Sequence, residues 1–253
     1  MLTFTDAQLA AWLTPLLWPF IRVLALFSSA PLLSQKNVPV RVRVGLAFLI
    51  TISAQASLPA MPVIPLDSPM LYAVVLQQVL IGITLGFSAR IVFAAIEFAG
   101  ELVGLQMGLN FAGFFDPMSG AEGNAVGRFF GIIVGWLFII INGHLLMIVA
   151  MVQSFQAFPV SAEPFSALRL LQPQLWGAEV FKLGLWIALP MVTMLLFVNL
   201  VMGVISRIAQ QMNIFAVGFP ITLGVGLVGV LLTLPMMQAP FTMALEQMLS
   251  RFQ

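Results

Sequence analysis

Uncharged apolar stretches at residues 44–66, 68–89, 129–162, 183–206 and 208–245 run as long as, or longer than, the roughly 18–20 residues that cross the hydrocarbon of a bilayer. Nothing in a soluble core needs such runs in succession. Across 253 residues, 61% are hydrophobic and 8% charged. That leaves too little charge to cover a water-facing surface. The chain reads as an all-α integral membrane protein forming a single membrane domain, 1–253.

Six hydrophobic helical segments are predicted at about 12–33, 44–58, 70–96, 126–152, 181–205 and 214–234. The proline-rich connection LPAMPVIPLDSP follows the second and forbids helix there. Pro15, Pro19 and Pro31 in the first segment, Pro190 in the fifth, and Pro220 and Pro235 in the sixth predict proline-broken helices, whose freed backbone groups need packed protein or water. The N-terminus carries Asp6 and no basic run, unlike a secretory signal. With no cysteine, thiolate chemistry is excluded, and a net charge of +1 gives no footprint for nucleic acid.

The stretch GLNFAGFFDP, residues 108–117, is loop-like yet aromatic. Gly100, Gly104 and Gly108 precede its tip; Gly123, Gly127, Gly131 and Gly135 follow it. Four-residue spacing puts each set on one helix face, where another backbone can approach closely. The two faces predict a hairpin with its tip at about 109–122. Met107, Leu109, Phe111, Phe114, Phe115 and Met118 are the large apolar groups at or beside that tip. They need a dry place, which is either a pore that the loop plugs or the protein's own core.

Charge inside an apolar chain is the other signal. Arg90, Glu97 and Glu101 fall within roughly 40° of one another on a helix. Such a stripe faces a water-filled cavity, a partner or the membrane interface. Arg207 lies in the fifth connection and is read with them as a partner contact. Arg22 sits inside the first segment, where burial costs about 2.5–3.5 kcal/mol on insertion scales. It requires a carbonyl or a partner's carboxylate, unless the segment lies off the bilayer centre. His144, Asn142 and Asn199 read as interhelical hydrogen-bonding groups. No GxSxG, HExxH or phosphate-loop signature occurs, so no enzyme, cofactor or metal site is expected.

WPFIRVLALFSSAPLLS, NVPVRVRVGLA, GLQMGLNFAGFFDP, INGH, ALPMVTMLLFVNLVMGVISR and IFAVGFPITL occur in that order. Together they resemble the FliR/SctT family of type III secretion export-gate proteins, its flagellar branch in particular. The resemblance implies a gate in the inner membrane, at the flagellar basal body, built with FliP and FliQ, with FlhB docking onto it. It implies a FliP-like part at 1–175 and a FliQ-like hairpin at 176–253, with helices arranged as tilted hairpins. It also implies that the loop after QMG projects into the channel and helps close it. That role falls on Leu109, Phe111, Phe114 and Phe115, with Met107 and Met118 as additions. Unfolded export substrates would pass in transit. Other readings are an injectisome homologue, a small-solute secondary transporter, and a structural nucleus for partner subunits without a gating part.

Overall fold

A computed structural model describes residues 6–65, 67–109, 124–209 and 214–253. Among these, the elements are α-helices and short 3-10 turns: α1 (Asp6–Ser29), α2 (Val40–Ala54), α3 (Met70–Gln106), α4 (Ala125–Ile140), α5 (Gly143–Ala157), α6 (Ser166–Leu171), α7 (Gly177–Ile208), α8 (Ile214–Thr233) and α9 (Gln238–Leu249). Five helices are long and apolar enough to cross a membrane, and six if the pair α4–α5 counts as one broken span. The chain is a membrane-embedded all-α protein.

Four of the prolines do less than their chemistry suggests. Pro15 and Pro19 lie inside α1, Pro190 inside α7 and Pro220 inside α8, and each helix continues around them. Each removes one hydrogen bond from a ladder that the neighbouring turns sustain. Pro235 instead opens the 3-10 turn Leu234–Met237. The sharpest interruption comes elsewhere. The stretch read as one segment at 126–152 is two helices bent by 66°, because Asn142 takes the left-handed conformation with φ 57°. Asparagine tolerates that region better than other side chains. In the opposite direction, α3 outruns its predicted end at residue 96 by ten residues.

The chain divides into two compact units: Met1–Ile91, Ile139–Trp176 and Leu245–Gln253 in the first, Val92–Phe138 and Gly177–Ala244 in the second. In the first, α1 lies parallel to the opening turns of α3. Gly82 and Gly86 make that approach possible. A Cβ on Gly82 would meet Ala25 Cβ at 2.7 Å, and one on Gly86 would meet the Ala30 nitrogen at 2.8 Å. Trp18, Ile64 and Val74 form a buried cluster beside this contact. The Trp18 Nε1–H donates to the Pro62 carbonyl at 3.2 Å, which ties the proline-rich connection to α1.

Two antiparallel hairpins organise the second unit. In one, Phe93, Glu97 and Glu101 of α3 stand opposite Phe138, Gly131 and Gly127 of α4. In the other, Met191 and Met194 of α7 stand opposite Thr233 and Gly229 of α8. α7 also packs on α3, where a Cβ on Gly184 would meet the Ala95 carbonyl at 2.8 Å. Burial separates inner from outer helices. The α3 span is 67% buried, whereas the α7 span is 22% and the α2 span 11%.

Candidate functional site

The end of α3 is set by a chain of backbone hydrogen bonds. Gly108 adopts φ 81°, a left-handed conformation that costs glycine little. Its N–H donates to the Leu105 carbonyl at 3.1 Å, and the Leu109 N–H donates to the Gly104 carbonyl at 3.0 Å. This pairing is a Schellman cap. Gly108 therefore terminates the helix. Leu109 is half-buried. Phe111, Phe114, Phe115, Met118 and Gly123 lie outside the described residues.

On the return strand of the hairpin, Asn124 starts α4. Its backbone N–H donates to Glu101 Oε1 at 2.9 Å and Oε2 at 3.1 Å. Its Nδ2 donates to the Glu101 carbonyl at 2.9 Å, and its Oδ1 accepts from the Gly127 N–H at 2.9 Å. The Asn124 side chain is thus the N-cap of α4, and the Glu101 carboxylate stands at the positive end of that helix. One asparagine and one glutamate join the chain ends on either side of residues 110–123.

The glycines decide whether this clasp fits. Gly100 behaves as a packing glycine: its Cβ would meet Gly127 Cα at 2.8 Å and the Val126 carbonyl at 2.9 Å. Gly104 leaves room for the Asn124 side chain. Gly127 leaves room for Glu101, whose Cδ a Cβ would meet at 2.7 Å, and Gly131 does the same for Glu97 Oε1 at 2.9 Å. Gly135 is buried on the same helix. Three of these glycines therefore seat polar side chains in an apolar hairpin, a use that four-residue spacing alone does not reveal. Of the predicted stripe, Glu101 is bonded to the start of α4, and Glu97 lies beside Gly131 while remaining exposed.

Met107 is fully buried. A Cβ on Gly226 of α8 would meet its Cγ at 2.5 Å and its sulfur at 2.6 Å. The thioether fills the hollow that Gly226 leaves, so Met107 fixes the hairpin stem and belongs to the packed interior, not to a projecting tip. Val103 and Phe130 nearby border an apolar cavity of about 380 Å³, shared with Pro190, Met191, Thr233 and Met237.

The remaining charged residues separate into two kinds. Arg90, Glu97 and Arg207 are exposed. Arg22 is fully buried. Its Nε donates to Gln78 Oε1 at 2.8 Å, its Nη1 to Ser154 Oγ at 2.9 Å and its Nη2 to the Phe158 carbonyl at 2.9 Å, while its Cζ lies 3.5 Å from the centroid of the Phe155 ring. The Phe158 carbonyl is the kind of acceptor expected of a guanidinium inside the first segment. Gln78 continues the network through Gln77 to Ser161 and Pro159. Sequence reasoning missed Gln77, Gln78 and Asn124. It also missed the glycine pair Gly82 and Gly86, although GITLG carries the same four-residue signal.

Among the described residues no group of three or more histidines or carboxylates is placed to hold a metal ion.

Residues 13–248 match the family described as "Bacterial export proteins, family 1". The "Flagellar biosynthetic protein FliR" of Pectobacterium carotovorum subsp. carotovorum is 43% identical over 241 residues, covering 93% of this chain and 90% of that protein. The protein of the same description from Escherichia coli (strain K12) is 43% identical over 241 residues, covering 95% and 92%. That of Bacillus subtilis (strain 168) is 29% identical over 216 residues, covering 83% and 82%.

Proposed function

The chain belongs to the bacterial export proteins, family 1, and from that premise we propose that it is a subunit of the flagellar protein export gate in the inner membrane, closing the channel with the loop at about 109–122. The observation that carries this reading is the fastened hairpin: two stems joined by the Glu101–Asn124 clasp, capped at Gly108, and separated by a segment bearing Phe111, Phe114, Phe115 and Met118. The clasp fixes the two stems on either side of that segment.

Such a segment seals by packing, without directed hydrogen bonds. It can yield to an extended polypeptide and close again afterwards. The exposed apolar faces of α2 and α7, with Phe48, Leu49, Trp186 and Phe197 among their residues, suit burial against FliP- and FliQ-type subunits as well as lipid. FlhB would dock onto the assembled gate. The 1–175 and 176–253 parts stand for the FliP-like and FliQ-like contributions.

Deletion of residues 109–118 tests the reading. The gate is expected to assemble with unchanged subunit content and to leak ions. An assembled gate that stays tight without this segment makes the chain a scaffold instead. Lost solute uptake with motility intact points to a transporter.

A further inference from the structure

We propose that Glu101 and Asn124 are positioning residues for the seal, holding the two stems of the α3–α4 hairpin in one register so that the segment between them is presented at one place. This rests on the plug reading above and adds to it the residues that keep the plug in position.

The inference follows from how much the hairpin gives up to accommodate the pair. A glutamate and an asparagine in a helix hairpin this apolar carry a desolvation cost that only complete hydrogen bonding offsets. Here it is offset from both directions. Both oxygens of the Glu101 carboxylate accept from the backbone N–H of Asn124, the N-cap of α4, and the Asn124 amide bridges the Glu101 carbonyl to the Gly127 N–H. Asn124 is buried, and Gly104 and Gly127 are bare where the two side chains lie. Larger residues at either glycine would expel the clasp.

Apolar packing favours this register: Gly100 meets the Gly127 and Val126 backbone and the Phe130 ring, and Phe93 meets Phe138 edge-on. A slip by one helical turn would still shift the stem ends about 5.4 Å along the axis. The clasp removes that freedom, because its hydrogen bonds exist in one register only. The Schellman cap at Gly108 and the Asn124 N-cap then fix where each stem ends. The prediction is a seal whose tightness depends on two residues that do not belong to the sealing segment.

The test uses the complete gate complex, purified and reconstituted in proteoliposomes, with ion flux measured per assembled complex. Glu101→Ala and Asn124→Ala are expected to raise flux several-fold at unchanged subunit content, and Glu101→Gln less, since one accepting oxygen remains. The chain has no cysteine, so a Gly104→Cys, Asn124→Cys pair offers a clean second arm. A Cβ at position 104 would touch the Asn124 side chain, which places the two thiols within bridging reach. The complex assembled oxidised should be tight, and reductant added afterwards should open a leak that reoxidation closes.

If the alanine variants and the reduced pair are as tight as the unaltered gate while deletion of 109–118 leaks, the positioning role is wrong and the plug stands. If the deletion itself stays tight, the plug reading fails and this inference falls with it. Should the alanine variants not assemble, the redox pair, assembled before reduction, decides alone.

Discussion

The Nη2 of Arg22 donates to the carbonyl of Phe158 at 2.9 Å, and Phe158 is the C-cap of α5. A buried guanidinium thus stands at the negative end of a helix dipole, which supplies part of its countercharge. Its flat face rests on Phe155 and its edges reach three acceptors on α3, α5 and the turn beyond.

Replacing Arg22 therefore strands several groups together. Arg22→Met leaves Gln78 Oε1, Ser154 Oγ and the Phe158 carbonyl without this donor, and each orphaned buried group costs about 1–3 kcal/mol. The expected result is a large drop in the thermal midpoint of the detergent-solubilised chain. Arg22→Lys should fall between, since an ammonium keeps the charge but cannot serve three directions and stack. An unchanged midpoint for Arg22→Met would remove the network from the stability of the fold.

Glycines of one composition should give opposite results. Gly82→Ala forces a Cβ to within 2.7 Å of Ala25 Cβ and 3.0 Å of the Leu26 nitrogen. Overpacking of this kind costs about 1–3 kcal/mol. Gly203→Ala and Gly224→Ala meet nothing within 4 Å, and alanine gains about 1 kcal/mol over glycine in helix propensity. In the isolated chain the first should destabilise and the others should not. A loss on Gly203→Ala seen only in the assembled gate would mark α7 there as a face packed by another subunit.

Met107 and Gly226 should behave as a coupled pair. Met107→Ala empties a filled site and is expected to cost about 2–5 kcal/mol. Gly226→Ala pushes against the Met107 Cγ and sulfur at 2.5 and 2.6 Å. In a double-mutant cycle the combined change should cost less than the two single changes together, because the shortened side chain vacates the space the new methyl needs. Strict additivity would separate the two residues.

Phe252 closes the first unit from the chain's last turn. It is fully buried, with ring centroids 6.4 Å from Phe158 and 6.2 Å from Trp176. Phe252→Ala should cost about 3–5 kcal/mol and lower the thermal midpoint of the detergent-solubilised chain. Phe252→Leu should retain part of that stability, and equal midpoints for both variants would argue against the aromatic contacts.

The membrane class, most of the long helices and the pairing of α3 with α4 were legible in the sequence, because apolar run length and glycine spacing report directly on them. What glycines do was only half legible. The same four-residue signal describes Gly100, which admits a backbone, Gly127, which admits a carboxylate, and Gly108, which ends a helix. Spacing reports a bare face but not what lies against it. The bend at Asn142 was hidden because hydropathy is blind to a single left-handed residue in an otherwise apolar run. Arg22 was legible as a residue needing a carbonyl, but its other acceptors lie 56 and 132 positions away, beyond any local pattern.

The length of α3 settles one further matter. Its first twenty residues, through Ala89, are uncharged and already match the roughly 30 Å depth of an oily slab. Seventeen more follow, beginning at Arg90 and including two glutamates. A rod that overshoots its bath must bring its wetter end out at one side or lean. Ile132 and Trp136, on the helix that runs back along that overshoot, turn their side chains outward.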